Sequence, residues 1–231
     1  MRKGRMGSTV LLLGIFAVLI LLTVFAVTHR YPAMAVTETG YTFVIDPGHG
    51  GADSGAIAEN GTKESDINLS IALKISALAD FCGMRYVLTR QDDTSWTEGD
   101  TYSEHAELQY RVDIVNNVPC PVYVGVHQNS FPTPVPIGSH VMYGKGADSQ
   151  RLGKLMEREL LNFVDSSNRR VASPVPESLF ITANVSCPAV LVECGFMSNP
   201  GEVEKLSAQS YQMRLALALV SACMEFERNR I

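Results

Sequence analysis

The chain has 231 residues, of which 46% are hydrophobic, and its formal net charge at pH 7 is −5. The hydrophobic fraction excludes an intrinsically disordered chain, and the acidic balance argues against a general nucleic-acid binder. The charges are unevenly placed, because residues 1–30 contain four basic residues and no acidic residue. A basic, apolar leader in front of an acidic body is not a cytosolic arrangement, so we expect the body to lie outside the cytoplasm.

The leader contains an uncharged apolar run at residues 10–27, which is 18 residues long. As a helix rising about 1.5 Å per residue it would span about 27 Å, close to the hydrocarbon core of a bilayer. The basic residues in front of this run are expected to stay in the cytoplasm. Ala33 and Ala35 have the spacing of a signal-peptidase site, so a cleaved secretion signal is the alternative to an uncleaved membrane anchor.

Behind the leader, strand-like and helix-like stretches alternate. In chain order we predict a strand at 41–45, a helix at 65–81, a strand at 85–89, a loop at 91–103, a helix at 104–116, strands at 122–126 and 139–143, a helix at 150–163, strands at 178–182 and 189–192, and a helix at 211–228. This alternation is typical of one α/β domain with a mainly parallel twisted sheet flanked by helices. The chain is then divided into a cytoplasmic basic region, a transmembrane or signal segment, a linker and a folded domain, at residues 1–9, 10–28, 29–40 and 41–231.

Three of the predicted strands lead into side chains that bind metals or move protons. His49 follows the first strand, His127 the third, and Glu193 the strand near residue 190, while Glu64 stands at the start of the first long helix. Chemistry in open α/β sheets gathers beyond the carboxyl ends of the strands, so these residues are expected to meet. Two imidazoles, one carboxylate and an open position for water form a catalytic zinc set. His49, Glu64 and His127 would be the ligands and Glu193 the general base and acid.

Each of these residues taken singly has a simpler explanation. A lone histidine is more often structural or superficial, Glu64 would suit the positive end of a helix dipole, and Glu193 would merely end a strand. A dinucleotide-binding loop does not fit, because Asp53 stands where the third glycine of G-x-G-x-x-G would be. No basic stripe with interleaved aromatic residues is present, so nucleic acid is not the expected partner. The zinc hypothesis depends on three strand ends meeting at one edge.

The chain also contains the runs VIDPGHGGADSGA, GTKESDINL, TRQDD, GVHQNS and PAVLVECGFMSNP. In sequence, order and spacing they resemble the zinc-dependent N-acetylmuramoyl-L-alanine amidases of the type-3 family, over residues 40–228. The resemblance implies a zinc amidase domain that hydrolyses the amide joining the lactyl group of N-acetylmuramic acid to the L-alanine of the peptidoglycan stem peptide. It implies one zinc ion per chain on His49, Glu64 and His127, with Glu193 as the catalytic glutamate.

Several other positions are expected to support the site without binding the metal. Arg90 and Arg111 match recurring family positions, where they would contact substrate or brace loops. Asp46 and Asn129 are candidates for orienting the metal ligands or for capping the turns in which they lie. The family often has serine and isoleucine in front of the histidine where this chain has glycine and valine, a change that touches no ligand. Residues 92–104 could form a lid over the site.

A narrower resemblance is to the germination-specific amidases of spore-forming bacteria, carried by one N-terminal apolar segment and by the runs TYSEHAELQYRVDIVNN and SLFITANVSCPAVLVECGFMSNPGEVEKL. It implies removal of stem peptides before muramic δ-lactam forms in spore cortex, aided in some spore formers by a lipoprotein. The implied partners are peptidoglycan, the membrane and that lipoprotein. One alternative is a zinc peptidase that cuts within the stem peptide. The other is a non-enzymatic wall-binding or activator protein, whose expected mark is the loss of a ligand or of the catalytic carboxylate.

Overall fold

The computed structural model of the protein describes residues 40–96, 102–176 and 178–230. Residues 1–39 lie outside the described residues. They contain the predicted basic region, the predicted membrane segment and most of the linker. Residues 97–101 of the predicted lid also lie outside the described residues. None of the helices in the described part of the chain is both long enough and apolar enough to cross a bilayer.

Six strands form one sheet. They are β1 (Thr42–Pro47), β2 (Tyr86–Leu88), β3 (Pro121–Asn129), β4 (His140–Tyr143), β5 (Ser173–Pro174) and β6 (Ala189–Phe196). Their order across the sheet is β2-β1-β3-β6-β4-β5. The strands β2, β1, β3 and β6 are parallel to one another, whereas β4 is antiparallel to β6 and β5 is parallel to β4. The expected mainly parallel sheet is therefore a mixed sheet, with its parallel half at the predicted site.

Helices cover both faces of the sheet. They are α1 (Glu64–Cys82), α2 (Glu104–Asn117), α3 (Ala147–Phe163), α4 (Phe180–Asn184), α5 (Pro200–Ser207) and α6 (Gln209–Arg228). The larger core lies between the sheet and α1, α3 and α6, and contains Ile71, Met156 and Leu219. The smaller core lies between the sheet and α2 and α4, and contains Val112 and Ile181. The α/β architecture follows because the helices bury their apolar faces against the sheet and, for α6, against the neighbouring helices α1 and α3.

The alternation of side chains along β3 decides which face holds the chemistry. Val122, Val124 and Val126 belong to the larger core, whereas Tyr123 belongs to the core beneath α2. Successive side chains of a strand point to opposite faces, so His127 lies on the α2 face. The register pairs His127 with Glu193 on the neighbouring parallel strand, which puts both side chains on this face.

One local prediction differs from the structure, and two short elements were not predicted. The stretch 178–182, predicted as a strand, instead leads into α4, whose Ile181 packs beneath α2. A short apolar run fits a strand or a helical turn equally well, so its packing decides between them. The two-residue strand β5 was not predicted. Neither was α5, although Asn199 accepts hydrogen bonds from Gly201 N and Glu202 N as its N-cap.

Candidate active site

The side chains of His49, Glu64 and His127 converge at the carboxyl edge of the parallel strands. Glu64 Oε1 lies 3.2 Å from His49 Nε2 and 3.3 Å from His127 Nδ1. Each of the three residues offers one atom that could bind a metal, and these three atoms lie within 4.8 Å of one another. The imidazole rings are 5.1 Å apart and nearly perpendicular. The structure thus brings together three residues that the sequence analysis placed on two strand ends and one helix start.

Two glycines allow the side chains of the three candidate ligands to approach so closely. A Cβ atom on Gly48 would collide with the imidazole ring of His127. Gly55 has a φ of +61°, and a Cβ there would lie 2.7 Å from both Glu64 Oε2 and His49 Cδ2. Glycine tolerates this left-handed conformation and leaves the space that the ligands need. The glycine-rich run after β1 therefore shapes the candidate metal site.

Asp53 orients the first histidine. Its Oδ2 lies 2.6 Å from His49 Nδ1, which leaves Nε2 directed at Glu64. Asp53 Oδ1 in turn accepts a hydrogen bond from Gly55 N at 2.9 Å. A carboxylate on the outer nitrogen of a ligand histidine fixes the ring and its tautomer and makes it a stronger base.

The Glu64 carboxylate is held by hydrogen bonds from three separate segments. Its Oε1 accepts from Gln128 N at 2.9 Å and from Asn68 Nδ2 at 3.3 Å, and its Oε2 accepts from Ala56 N at 3.0 Å. Asn68 lies one helical turn after Glu64 and also donates to Gly48 O, so α1 and the loop after β1 are joined at this point. The buried carboxylate is consequently fixed before any ligand arrives.

The pKa values show that the cluster favours positive charge. Burial alone would lower the pKa of His49, but its hydrogen bonds to Asp53 and Glu64 raise that pKa to about 10. Burial alone would raise the pKa of Glu64, but hydrogen bonds to His127 and His49 shift it well below its usual range. Both shifts follow from the negative charge of Asp53 and Glu64, which favours a positively charged species beside these side chains.

Glu193 lies beside this cluster in a different environment. Its side chain is half-buried, and its Oε2 is buried with no hydrogen-bond partner among the described residues. Burial raises the pKa of Glu193 to about 7, with the negative charge of Glu64 adding to the shift and the two histidines opposing it. A carboxylate with a pKa near neutrality is suited to taking up and returning a proton.

A buried polar network supports the loop that carries His49. Asp46 accepts hydrogen bonds from Arg111 Nη1 and Tyr123 Oη, each at 2.7 Å, and Arg111 Nη2 donates to His49 O at 2.7 Å. Burial alone would raise the pKa of Asp46, but the Arg111 charge and the hydrogen bonds outweigh it and lower that pKa. Arg90 donates to Pro47 O, Gly48 O and Ser65 O. Both arginines, predicted to contact substrate or brace loops, brace backbone carbonyls here.

The donor set fits zinc. Two ligand atoms that are each about 2.0–2.1 Å from a tetrahedral zinc ion lie about 3.3 Å apart. The two separations from Glu64 Oε1 to the histidine nitrogens, 3.2 and 3.3 Å, match this value. Glu193, the register partner of His127 on the neighbouring strand, has a buried oxygen without a hydrogen-bond partner among the described residues. Catalytic zinc sites keep one position for water, on which such a carboxylate could act.

Sequence reasoning did not find every residue that shapes the site. Asp46, proposed as an orienting residue, is linked to His49 through Arg111. The backbone oxygen of Asn129, the other proposed orienting residue, accepts a hydrogen bond from Met197 N. Asp53 and Asn68 were missed. Both carried a signal, because each lies four residues after a candidate ligand.

Comparison with known proteins agrees with this geometry. Residues 43–224 match the family Amidase_3, N-acetylmuramoyl-L-alanine amidase. The germination-specific N-acetylmuramoyl-L-alanine amidase of Bacillus subtilis is 28% identical over 193 residues, which cover 81% of this chain and 80% of that protein. The CwlD amidase from Clostridioides difficile, solved in complex with the GerS lipoprotein, matches with a TM-score of 0.75 and 33% identity, covering 80% of this chain and 97% of that one.

A second solved structure gives the same result. The N-acetylmuramoyl-L-alanine amidase AmiC2 of Nostoc punctiforme matches with a TM-score of 0.71 and 27% identity, covering 82% of this chain and 98% of that one. The family match spans nearly all of the described domain, including the four residues of the candidate site. The chain therefore belongs to the N-acetylmuramoyl-L-alanine amidase family and is a hydrolase.

Proposed function

We propose that the protein uses one zinc ion to hydrolyse the amide between the lactyl group of N-acetylmuramic acid and the L-alanine of the stem peptide. The observation that carries this proposal is the arrangement of His49, Glu64 and His127 around one point, with Glu193 beside it. Membership of the amidase family supplies the substrate class. All three candidate ligands and the candidate catalytic carboxylate are present, which argues against a non-enzymatic scaffold.

His49, Glu64 and His127 would hold the zinc ion, which supplies a Lewis acid that activates water and polarises the amide carbonyl. Glu193 accepts the proton of the attacking water through its unpartnered oxygen. It then returns this proton to the departing alanine nitrogen, so the amine leaves as a neutral group. Asp53 and the donors around Glu64 keep the ligands in place during both steps.

Replacing Asp53 by asparagine should weaken zinc binding without unfolding the domain. The change removes the negative charge from His49 Nδ1 while preserving the shape of the side chain. Loss of such a partner typically costs about 10- to 100-fold in metal affinity. Competition with a chromophoric chelator measures the affinity directly. Asp66→Asn, an exposed change two residues after Glu64, is the control and should bind zinc as the parent does.

Product analysis separates the proposed amidase from a peptidase. The full-length chain, purified in detergent with zinc, is incubated with peptidoglycan, and the released fragments are identified by mass spectrometry. The proposal predicts intact stem peptides that begin with L-alanine, and no release after chelation. Fragments cut within the stem peptide would instead establish the peptidase.

We further propose that the enzyme acts on spore cortex from outside the membrane, held by its N-terminal apolar segment and aided by a lipoprotein. Support comes from the germination-specific relative and from the neighbour solved with a lipoprotein. Spores of a strain lacking the protein should contain cortex without muramic δ-lactam. Normal δ-lactam content in those spores would reject the cortex role and leave the amide hydrolysis unaffected.

A further inference from the structure

Trp96 forms an open aromatic platform. It is the only tryptophan in the chain, and 64% of its surface is exposed. One face of its indole stacks on Tyr110 of α2, with ring centroids 4.1 Å apart and planes inclined by 7°. Indole rings carry a large apolar area that proteins usually bury against other groups. With Tyr110 against one face and 64% of the side chain exposed, the indole presents apolar surface that the described residues leave uncovered.

The platform is tied to the candidate active site by consecutive hydrogen bonds. Trp96 N donates to Glu107 Oε2 at 2.7 Å, and Glu107 Oε1 accepts from Arg111 Nη2 at 3.3 Å. The same Arg111 nitrogen donates to His49 O at 2.7 Å. Because Glu107, Tyr110 and Arg111 all belong to α2, the indole and the ligand loop are held by one rigid element.

The segment in front of Trp96 also packs against the ligand loop. Asp93 Oδ1 accepts a hydrogen bond from Gly51 N at 2.9 Å. A Cβ on Gly51 would lie 2.6 Å from Ser95 N, so the two backbones are in direct contact. The platform thus borders the site on the α2 face, where Glu193 also lies.

We propose that the open face of Trp96 is a subsite for an N-acetylhexosamine ring of the glycan strand that carries the scissile amide. The inference rests on the proposed function, since the lactyl group attaches directly to a sugar and glycan rings must lie beside the cleaved bond. One face of a pyranose ring presents C–H groups, which pack flat on an aromatic ring. The carboxylates of Asp93, in the segment before Trp96, and of Glu107, which accepts from Trp96 N, disfavour an anionic polymer but not an uncharged sugar.

The first test is the kinetics of full-length, zinc-loaded variants on soluble glycan-peptide fragments. Trp96→Ala should raise KM about tenfold, the effect of losing one aromatic stacking contact, with a smaller change in kcat. Trp96→Phe should restore most of the affinity, because an aromatic face remains. The matched control is Phe81→Ala, which removes an even more exposed ring (90%) near the far end of α1 and should leave KM unchanged. Melting curves establish that the variants are folded.

The second test uses the fluorescence of the parent chain, which reports Trp96 alone because no other tryptophan is present. The probe is a β-1,4-linked tetramer of N-acetylglucosamine, which has no lactyl amide to cleave. A saturable change in emission supports the subsite, and an unchanged emission overturns it. This titration tests the sugar subsite even if the parent releases no stem peptides. Absence of that release would reject the proposed function, not the subsite.

A KM for Trp96→Ala equal to that of the parent would overturn the subsite while the amidase function stands. If sedimentation also showed that this variant has an altered oligomeric state, the platform would instead be an interface between copies of the chain.

Discussion

Glu193→Gln is expected to lower turnover by about 10²- to 10⁴-fold while zinc stays bound. Glutamine preserves the size of the side chain but cannot take the proton from water or return it to the leaving nitrogen. The three ligands are untouched, so the zinc content should equal that of the parent. Stem-peptide release and metal analysis on the same preparation measure both quantities. Glu59→Gln, an exposed change in the loop before α1, is the matched control and should keep parental turnover.

The same variant should be the more stable protein when metal is absent. Burial raises the pKa of Glu193 from 4.5 to about 7, so the folded state binds this proton more tightly than the unfolded chain does. The contribution of Glu193 to stability therefore falls as pH rises from about 4.5 to about 7, and stays low above that range. Glutamine does not ionise, so the variant does not lose this contribution to stability as pH rises. The melting temperature of Glu193→Gln relative to the chelated parent should thus increase between pH 5 and pH 8.

Near-parental turnover by Glu193→Gln would contradict the assignment of the base. A melting difference independent of pH would contradict the environment described for its carboxylate. The two readouts are separate, since the first concerns the loaded enzyme and the second the metal-free chain.

Arg111→Met should have the largest effect on stability. Arg111 and Asp46 form a buried ion pair at 2.7 Å, with side chains 5% and 0% exposed. Methionine leaves the Asp46 carboxylate without its countercharge in the interior, a change that typically costs about 3–5 kcal/mol. It also removes the donor to His49 O, so the surviving folded protein should bind zinc more weakly. Urea unfolding of the metal-free protein and chelator competition measure the two effects.

The control for Arg111→Met is Arg158→Met on the surface. Arg158 pairs with Glu225 but is 46% exposed, and such pairs contribute about 0–1 kcal/mol. If both arginine variants lost the same stability, the special role given to the buried pair would be wrong. A loss of stability in Arg111→Met with unchanged zinc affinity would reject only its effect on His49.

The four residues of the site were predictable because parallel strands end at one edge of a sheet. His49, His127 and Glu193 each follow or end an apolar strand, so the topology alone brings them together. Glu64 was predictable from its place at the start of α1. The antiparallel direction of β4 was not predictable, since nothing in a four-residue strand encodes the direction of its neighbour.

The residues that hold the site were harder to read from the sequence. Arg111 acts on the backbone oxygen of His49, and a side-chain pattern contains no information on such a contact across 62 positions. Helix α5 could have been predicted, because Asn199 followed by Pro200 is a typical helix start. The strand predicted at 178–182 failed because short apolar runs have too few turns to reveal a period.

The measurement that tests the account most directly is a zinc titration of the chelated full-length chain, with stem-peptide release followed at each step. If His49, Glu64 and His127 hold the one ion that amide hydrolysis needs, activity should be absent at first. It should then rise linearly and level off at about one equivalent of zinc per chain. Full activity in the chelated protein, or a folded chain that binds no zinc, would contradict the account.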